Sequence, residues 1–214
     1  MAARRTGALR QALVSAAAAL SFGGTAAAEL EGSDYFQLCQ ACHGNAGEGN
    51  AAIEAPAIAG LPAWYVERQL SKFKTGVRGA HPDDTAGLRM RPMSRYLRSE
   101  AEVKLVAAYV AAQPRVQPEH TLVGGDVARG QTAYALCSAC HGARGEGLQA
   151  LNGPPLAHQS DWYLLSQMQK YRKGLRGASL QDAEGVLMRP MSMTIADEQG
   201  IVDLIAYIQT LAGE

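Results

Sequence analysis

Cys39-Gln40-Ala41-Cys42-His43 and Cys137-Ser138-Ala139-Cys140-His141 hold all four cysteines of the chain, one Cys-x-x-Cys-His run in each half. Three ordinary chemistries fit them poorly. A disulfide, open to an exported protein, leaves the adjacent histidine unexplained in both copies. Zinc would need ligands from two distant runs, and a histidine directly after Cys-x-x-Cys lies too close for an ordinary finger. A thioredoxin-like redox pair expects a βαβ setting, and no period-2 strand pattern is present.

The motif is instead that of c-type haem attachment. Two thiols one helical turn apart can add to the two vinyl groups on one porphyrin edge. The next residue then aims its imidazole at the iron from the proximal side. Two runs imply two covalently attached haem c groups, on Cys39 and Cys42 and on Cys137 and Cys140, with His43 and His141 as axial ligands. A bulky cofactor also suits a chain with only 6% aromatics to fill its cores.

Working outward, a repeat appears at an offset of 98 residues. Gly47-Glu48-Gly49 returns as Gly145-Glu146-Gly147, Trp64-Tyr65 as Trp162-Tyr163, and Arg78-Gly79-Ala80 as Arg176-Gly177-Ala178. Pro56, Gln69, Gly76 and Tyr109 return as Pro154, Gln167, Gly174 and Tyr207. Met90-Arg91-Pro92-Met93-Ser94 returns unchanged at 188–192. About a third of the paired positions are identical without a gap, the mark of an internal duplication. Two domains follow, 29–113 and 125–214, joined by a proline-containing polar linker at 114–124.

Residues 1–28 read as a cleaved signal peptide: Arg4, Arg5 and Arg10, an apolar run, then small residues ending at Ala28. Its removal leaves 17 basic against 20 acidic residues, a net charge of −3. That balance gives no basic surface for nucleic acid. No later segment is long and apolar enough to cross a bilayer.

The expected secondary structure is helical. Val103, Val106, Ala107 and Val110 follow helical spacing, as do Ile201, Leu204, Ile205 and Ile208. Ser99 with Glu102 forms a capping box, and Asp197 is the N-cap of the twin helix. Helices should run from Gly32 and Asp126 into the cysteines, and over 64–74 and 162–173 before Gly76 and Gly174.

A second axial ligand should obey the repeat. His81, His120 and His158 do not, whereas Met90, Met93, Met188 and Met191 do. Pro92 and Pro190 are expected to extend the arginine before them. Three extended residues span roughly 10 Å, so one methionine of each pair would reach the iron.

These residues resemble class I c-type cytochromes, and the tandem resembles the dihaem cytochrome c4 family. The likeness rests on Cys-x-x-Cys-His-Gly, Pro-x-x-Ala from Pro56, Tyr-x-x-x-Gln-x-x-x-(Phe/Tyr)-x-x-Gly from Tyr65 and Tyr163, the methionine segment, and a final amphipathic helix. It implies an all-α fold of two tandem domains, each wrapping one haem, with the propionate edges facing each other. It implies Met90 and Met188 as the distal ligands, seven residues before Leu97 and Ile195, with Met93 and Met191 as the fallback. It further implies that the carbonyls of Pro56 and Pro154 orient the proximal imidazoles. Trp64, Tyr65, Trp162 and Tyr163 would bond propionates, and Arg78 and Arg176 would neutralise them. His158 stands where the first copy has Gly60, so the two haem potentials should differ.

The implied function is periplasmic electron transfer without substrate chemistry, from a quinol-oxidising complex to a terminal oxidase or reductase. The alternative is the electron-accepting subunit of a periplasmic dehydrogenase complex. Peripheral association with a membrane is compatible with both. Lys72, Lys74, Arg78, Arg89, Arg91, Arg95 and Arg98 form a grouping that could face an acidic partner.

Overall fold

The last apolar stripe of each repeat forms the helix on which the rest of the domain is assembled. In the computed structural model, which describes Ala2 and residues 30–213, regular structure is helical and no strand occurs among the described residues. The expected signal segment, Ala2 apart, lies outside the described residues. The first half holds α1 (Gly32–His43), α2 (Ala63–Thr75), α3 (Thr85–Tyr96) and α4 (Glu100–Ala112). The second holds α5 (Val127–His141), α6 (Asp161–Arg172), α7 (Ala183–Met193) and α8 (Glu198–Thr210).

Local signals set the ends. Ser99 and Glu102 make the expected capping box on α4. The Asp197 side chain accepts from Gly200 N at 2.8 Å and starts α8. Gly76, with φ 82°, ends α2 in the left-handed region, which a residue without Cβ adopts at low cost.

In each domain the cysteine-bearing helix crosses the final helix, and a glycine makes the crossing close. A Cβ on Gly32 would stand 2.3 Å from the Leu105 carbonyl oxygen, and one on Gly130 would stand 2.0 Å from that of Asp203. Aromatic pairs flank the crossings: Phe36 with Tyr109 at 5.1 Å between ring centroids, Tyr134 with Tyr207 at 5.4 Å. The first core gathers Phe36, Leu70, Leu97, Val103, Val106 and Val110. The second gathers Tyr134, Leu164, Met168, Ile201, Leu204, Ile205 and Ile208 among others.

The methionine segments depart from expectation. They are helical, α3 and α7, with Pro92 and Pro190 inside them. Asp84 and Asp182 cap these helices by accepting from Gly87 N and Gly185 N. The proline removes one backbone bond, and its bias against a helical preceding residue is outweighed by the cap and by packing. Ser94 and Ser192, both wholly buried, turn their hydroxyls back onto the carbonyls of Arg91 and Arg189 at 2.7 and 2.6 Å. The two methionines of a pair are therefore one turn apart on one helix face, and extended spacing does not separate them.

Between α4 and α8's domain, the chain after Ala112 runs without regular structure to Asp126. Its second half is tied down: Thr121 N, Thr121 Oγ1 and Leu122 N donate to the Asp161 carboxylate at 2.6, 2.8 and 2.8 Å. Those bonds hold Asp161 below the usual carboxylate range, although burial alone would raise it.

Candidate haem-binding site

Cys39, Cys42 and His43 occupy the last turn of α1 and open onto a cleft of the first domain. His43 Nδ1 lies 2.8 Å from the Pro56 carbonyl, and His141 Nδ1 lies 2.7 Å from that of Pro154. Nδ1 is thereby the donor, which leaves Nε2 as the nitrogen able to face a metal. Burial pushes both imidazoles below their ordinary pKa, partly offset by the proline carbonyls. Burial also raises Cys39, to about 11, and Cys137.

Met90 and Met93 both line the cleft. Both are half-buried, and they differ in what they pack against. Met90 packs with Cys39 against the first core, and Met188 packs with Cys137 against the second. Met93 and Met191 belong to neither set. His81, His120 and His158 are absent from the cleft lining, and His81 and His120 have local partners in Asp83 and Gln117.

The cleft is completed from across the domain boundary. Tyr65, Gln69 and Arg78 line it from its own side, and Trp162, Tyr163, Gln167 and Lys170 from the other. Trp162 and Tyr163, expected to bond propionates, line the first domain's cleft from the second domain. Trp64 lies outside the lining, under the Arg68 guanidinium at 5.2 Å.

A buried polar seam joins the halves, and it obeys the repeat. Arg78 donates to Gln69 (2.7 Å), Tyr163 (2.8 Å) and Gln167 (3.0 Å). Its twin Arg176 donates to Gln167 (2.9 Å) and Gln69 (3.2 Å). Lys72 pairs with Asp182, and its twin Lys170 pairs with Asp84 at 2.7 Å. The same patch on each domain meets itself, the pattern of a two-fold interface. Burial would raise Tyr163, but Arg78 and Arg176 pull its hydroxyl below its ordinary value.

This seam removes Lys72 and Arg78 from the expected basic docking patch, while Arg89, Arg95 and Arg98 stay exposed. Lys72 and Arg78 are turned into it, Lys74 binds the Leu97 carbonyl, and Arg95 binds that of Lys74 at 3.4 Å. Arg89 pairs with Glu54 at 2.8 Å, and the Arg91 Nε is buried. Sequence reasoning assigned no role to Gln69, Gln167, Lys170, Asp84 or Asp182. The signal was available, because all five sit at repeated positions.

Not every contact obeys the repeat. Gln159 donates to the Ala57 carbonyl at 3.1 Å, beside Pro56, whereas its twin is Leu61. His158 repeats the backbone of Gly60, at φ 64° against 68°, a conformation that costs a side-chain-bearing residue more.

The donor set fits a covalent haem. Two thiols and an imidazole converge on an apolar cleft, and Arg176 Nε is a buried donor without a protein partner, suited to a carboxylate. Among the described residues no cluster of three or more His, Cys, Asp or Glu side chains is placed to hold a bare metal ion.

Such a site, twice over in an all-helical tandem, defines a c-type cytochrome, and the cytochrome c family model matches residues 30–113 and 127–212. The chain belongs to the cytochrome c family and carries two covalently attached haem c groups. It is 36% identical to the thiosulfate dehydrogenase electron acceptor of Stutzerimonas stutzeri (strain A1501), over 72% of each chain. It is 30% identical to cytochrome c4 of Azotobacter vinelandii, over 81% of this chain and 84% of that one. The structure of reduced recombinant cytochrome c4 from Pseudomonas stutzeri matches with a TM-score of 0.64 at 26% identity, covering 83% of this chain and 95% of that one.

Proposed function

We propose that the protein is a periplasmic dihaem electron carrier, with His43 and Met90 ligating one iron and His141 and Met188 the other. The observation that carries this is the first domain's apolar cleft at Cys39, Cys42 and His43, which residues of the second domain also line across the buried seam. Bound haem supplies one-electron chemistry at iron. The chain's own residues do the rest. The proline carbonyls fix the imidazoles, Arg78 holds positive charge at the first domain's cleft, and Met90 and Met188 pack against the cores that Cys39 and Cys137 also touch. Met90 and Met188 would hold the irons together with His43 and His141, and a methionine ligand would raise the potential. No helix among the described residues is long and apolar enough to cross a membrane, which agrees with an exported carrier or subunit.

A second reading has support from the Stutzerimonas relative, whose name makes it an electron acceptor for thiosulfate dehydrogenase. The donor of this chain is then a periplasmic dehydrogenase rather than a quinol-oxidising complex. The two readings separate by rapid mixing under anaerobic conditions. The oxidised protein is mixed with a reduced quinol-oxidising complex or with a thiosulfate dehydrogenase and thiosulfate, and the reduced protein with a terminal oxidase. Fast reduction by the quinol-oxidising complex and fast oxidation by the oxidase support the carrier. Tight binding to the dehydrogenase with no oxidation by an oxidase overturns it in favour of the subunit.

A further inference from the structure

The domains hold one another at the point where the methionine helices begin. Asp182 caps α7, and its Oδ1 accepts from Gly185 N at 3.1 Å while also binding Lys72 Nζ of the first domain. Asp84 caps α3 in the same way: its Oδ1 accepts from Gly87 N at 3.0 Å and from Lys170 Nζ of the second domain at 2.7 Å. One carboxylate oxygen thus serves as helix cap and as cross-domain anchor, twice. Both aspartates are buried, with side chains 2% and 3% exposed, so losing a lysine strands a buried charge.

The first turns of these helices have little freedom to adjust. Gly87 sits backbone to backbone against Gly79, where a Cβ on Gly79 would stand 2.7 Å from the Gly87 carbonyl oxygen. The matching distance from Gly177 to the Gly185 oxygen is 2.3 Å. Gly79 and Gly177 directly follow Arg78 and Arg176 of the seam. Six residues after each cap comes Met90 or Met188, on the same rigid helix.

We propose that Lys72 and Lys170 are positioning residues acting in trans, each fixing the distal methionine of the other domain through that domain's N-cap aspartate. This rests on the reading of Met90 and Met188 as ligands. The device is lopsided. Glu184, whose twin is Ala86, also pairs with Lys72, and with Arg68 at 3.0 Å. Arg68 further reaches Asn152 of the second domain at 2.6 Å. The second domain's methionine helix is therefore held by three cross-domain ion pairs and the first domain's by one.

The test uses the haem-loaded chain with Lys72→Met, Lys72→Arg, Lys170→Met and, as a charge-matched control on the exposed face of α4, Lys104→Met. Two quantities are read by NMR. One is amide hydrogen exchange at Gly87 and Gly185. The other is the rate at which imidazole displaces each coordinated methionine methyl signal. Lys72→Met should speed exchange at Gly185 and displacement in the second domain about tenfold or more, leaving the first domain unchanged. Lys170→Met should act at Gly87 and in the first domain only, and Lys72→Arg should restore most of the protection. Wild-type exchange at Gly185 in Lys72→Met, or an equal change in Lys104→Met, overturns the proposal. If Lys72→Met fails to load haem, Glu184→Gln keeps the Asp182 cap and must still speed Gly185 exchange; no change there also overturns it. Exchange is independent of which residue binds iron. Faster exchange with a coordinated methionine signal surviving in Met188→Leu would therefore overturn the ligand reading and not the clamp.

Discussion

Gly130 meets the Asp203 carbonyl so closely that a Cβ on the glycine would stand 2.0 Å from the oxygen. The atom in the way is backbone, held by the hydrogen bonds of α8, so it cannot swing aside. The Cys137-bearing helix reaches its place only because residue 130 has no side chain.

Gly130→Ala should therefore push α5 from α8 and destabilise the second domain by about 1–3 kcal/mol, the usual cost of overpacking. Urea unfolding of the haem-loaded protein measures it. A midpoint within error of wild type would show that the helices separate freely.

Gln167 Oε1 accepts from both Arg78 and Arg176, one from each domain. Gln167→Leu keeps the volume and strands two buried guanidinium donors. The expected loss is about 2–4 kcal/mol, by the cost of unsatisfied charged groups. It should appear as a lower melting temperature together with a larger radius of gyration as the domains part. A lower melting temperature with unchanged scattering would place the damage inside α6 instead.

Met90→Leu and Met188→Leu should each remove half of the red charge-transfer absorption of ferric Met–iron bonding. Met93→Leu and Met191→Leu should retain it. Both members of a pair lie on one helix face, so the distinction rests on packing: Met90 and Met188 pack with the thioether cysteines Cys39 and Cys137 against the cores. Loss of the band in Met93→Leu with retention in Met90→Leu would reverse the assignment.

The haem motifs, the duplication and the terminal helices were legible because each is local: a spacing, an offset or a period. Capping at Ser99 and Asp197 was legible for the same reason. The methionine segment was misjudged as extended because Pro92 is a strong local signal, while the forces that keep α3 helical are a cap eight residues earlier and tertiary packing. Lys72 and Arg78 were misjudged as surface charge because their partners are 110 and 85 residues away. Their cross-domain partners Tyr163, Gln167 and Asp182 come from the other copy, and composition does not encode that pairing. Asp203 was invisible for another reason: its twin is the half-exposed Leu105, so the repeat gave no hint of a polar role.

Asp203 should give the second domain an acid-sensitive contact that has no counterpart at Leu105 of the first. Its carboxylate accepts from Asp126 N at 2.8 Å, Arg129 Nε at 2.8 Å and Gln199 Nε2 at 2.9 Å. The Asp126 backbone amide, Arg129 and Gln199 together hold its pKa at about 2, against an ordinary 3.8. A carboxylate whose folded value is depressed stabilises the fold fully above its unfolded value, and that stability is lost as pH falls through the folded value. The contribution should be intact above 3.8 and fade as pH falls towards about 2. Asp203→Asn removes the titrating charge and keeps the shape. It should lower second-domain stability at neutral pH and flatten the acid limb over that interval. Denaturant midpoints followed against pH provide the measurement, with wild type and variant expected to converge at the acid end. Parallel curves, offset equally at neutral and acid pH, would mean that the loss is one of packing and that the charge on Asp203 contributes nothing.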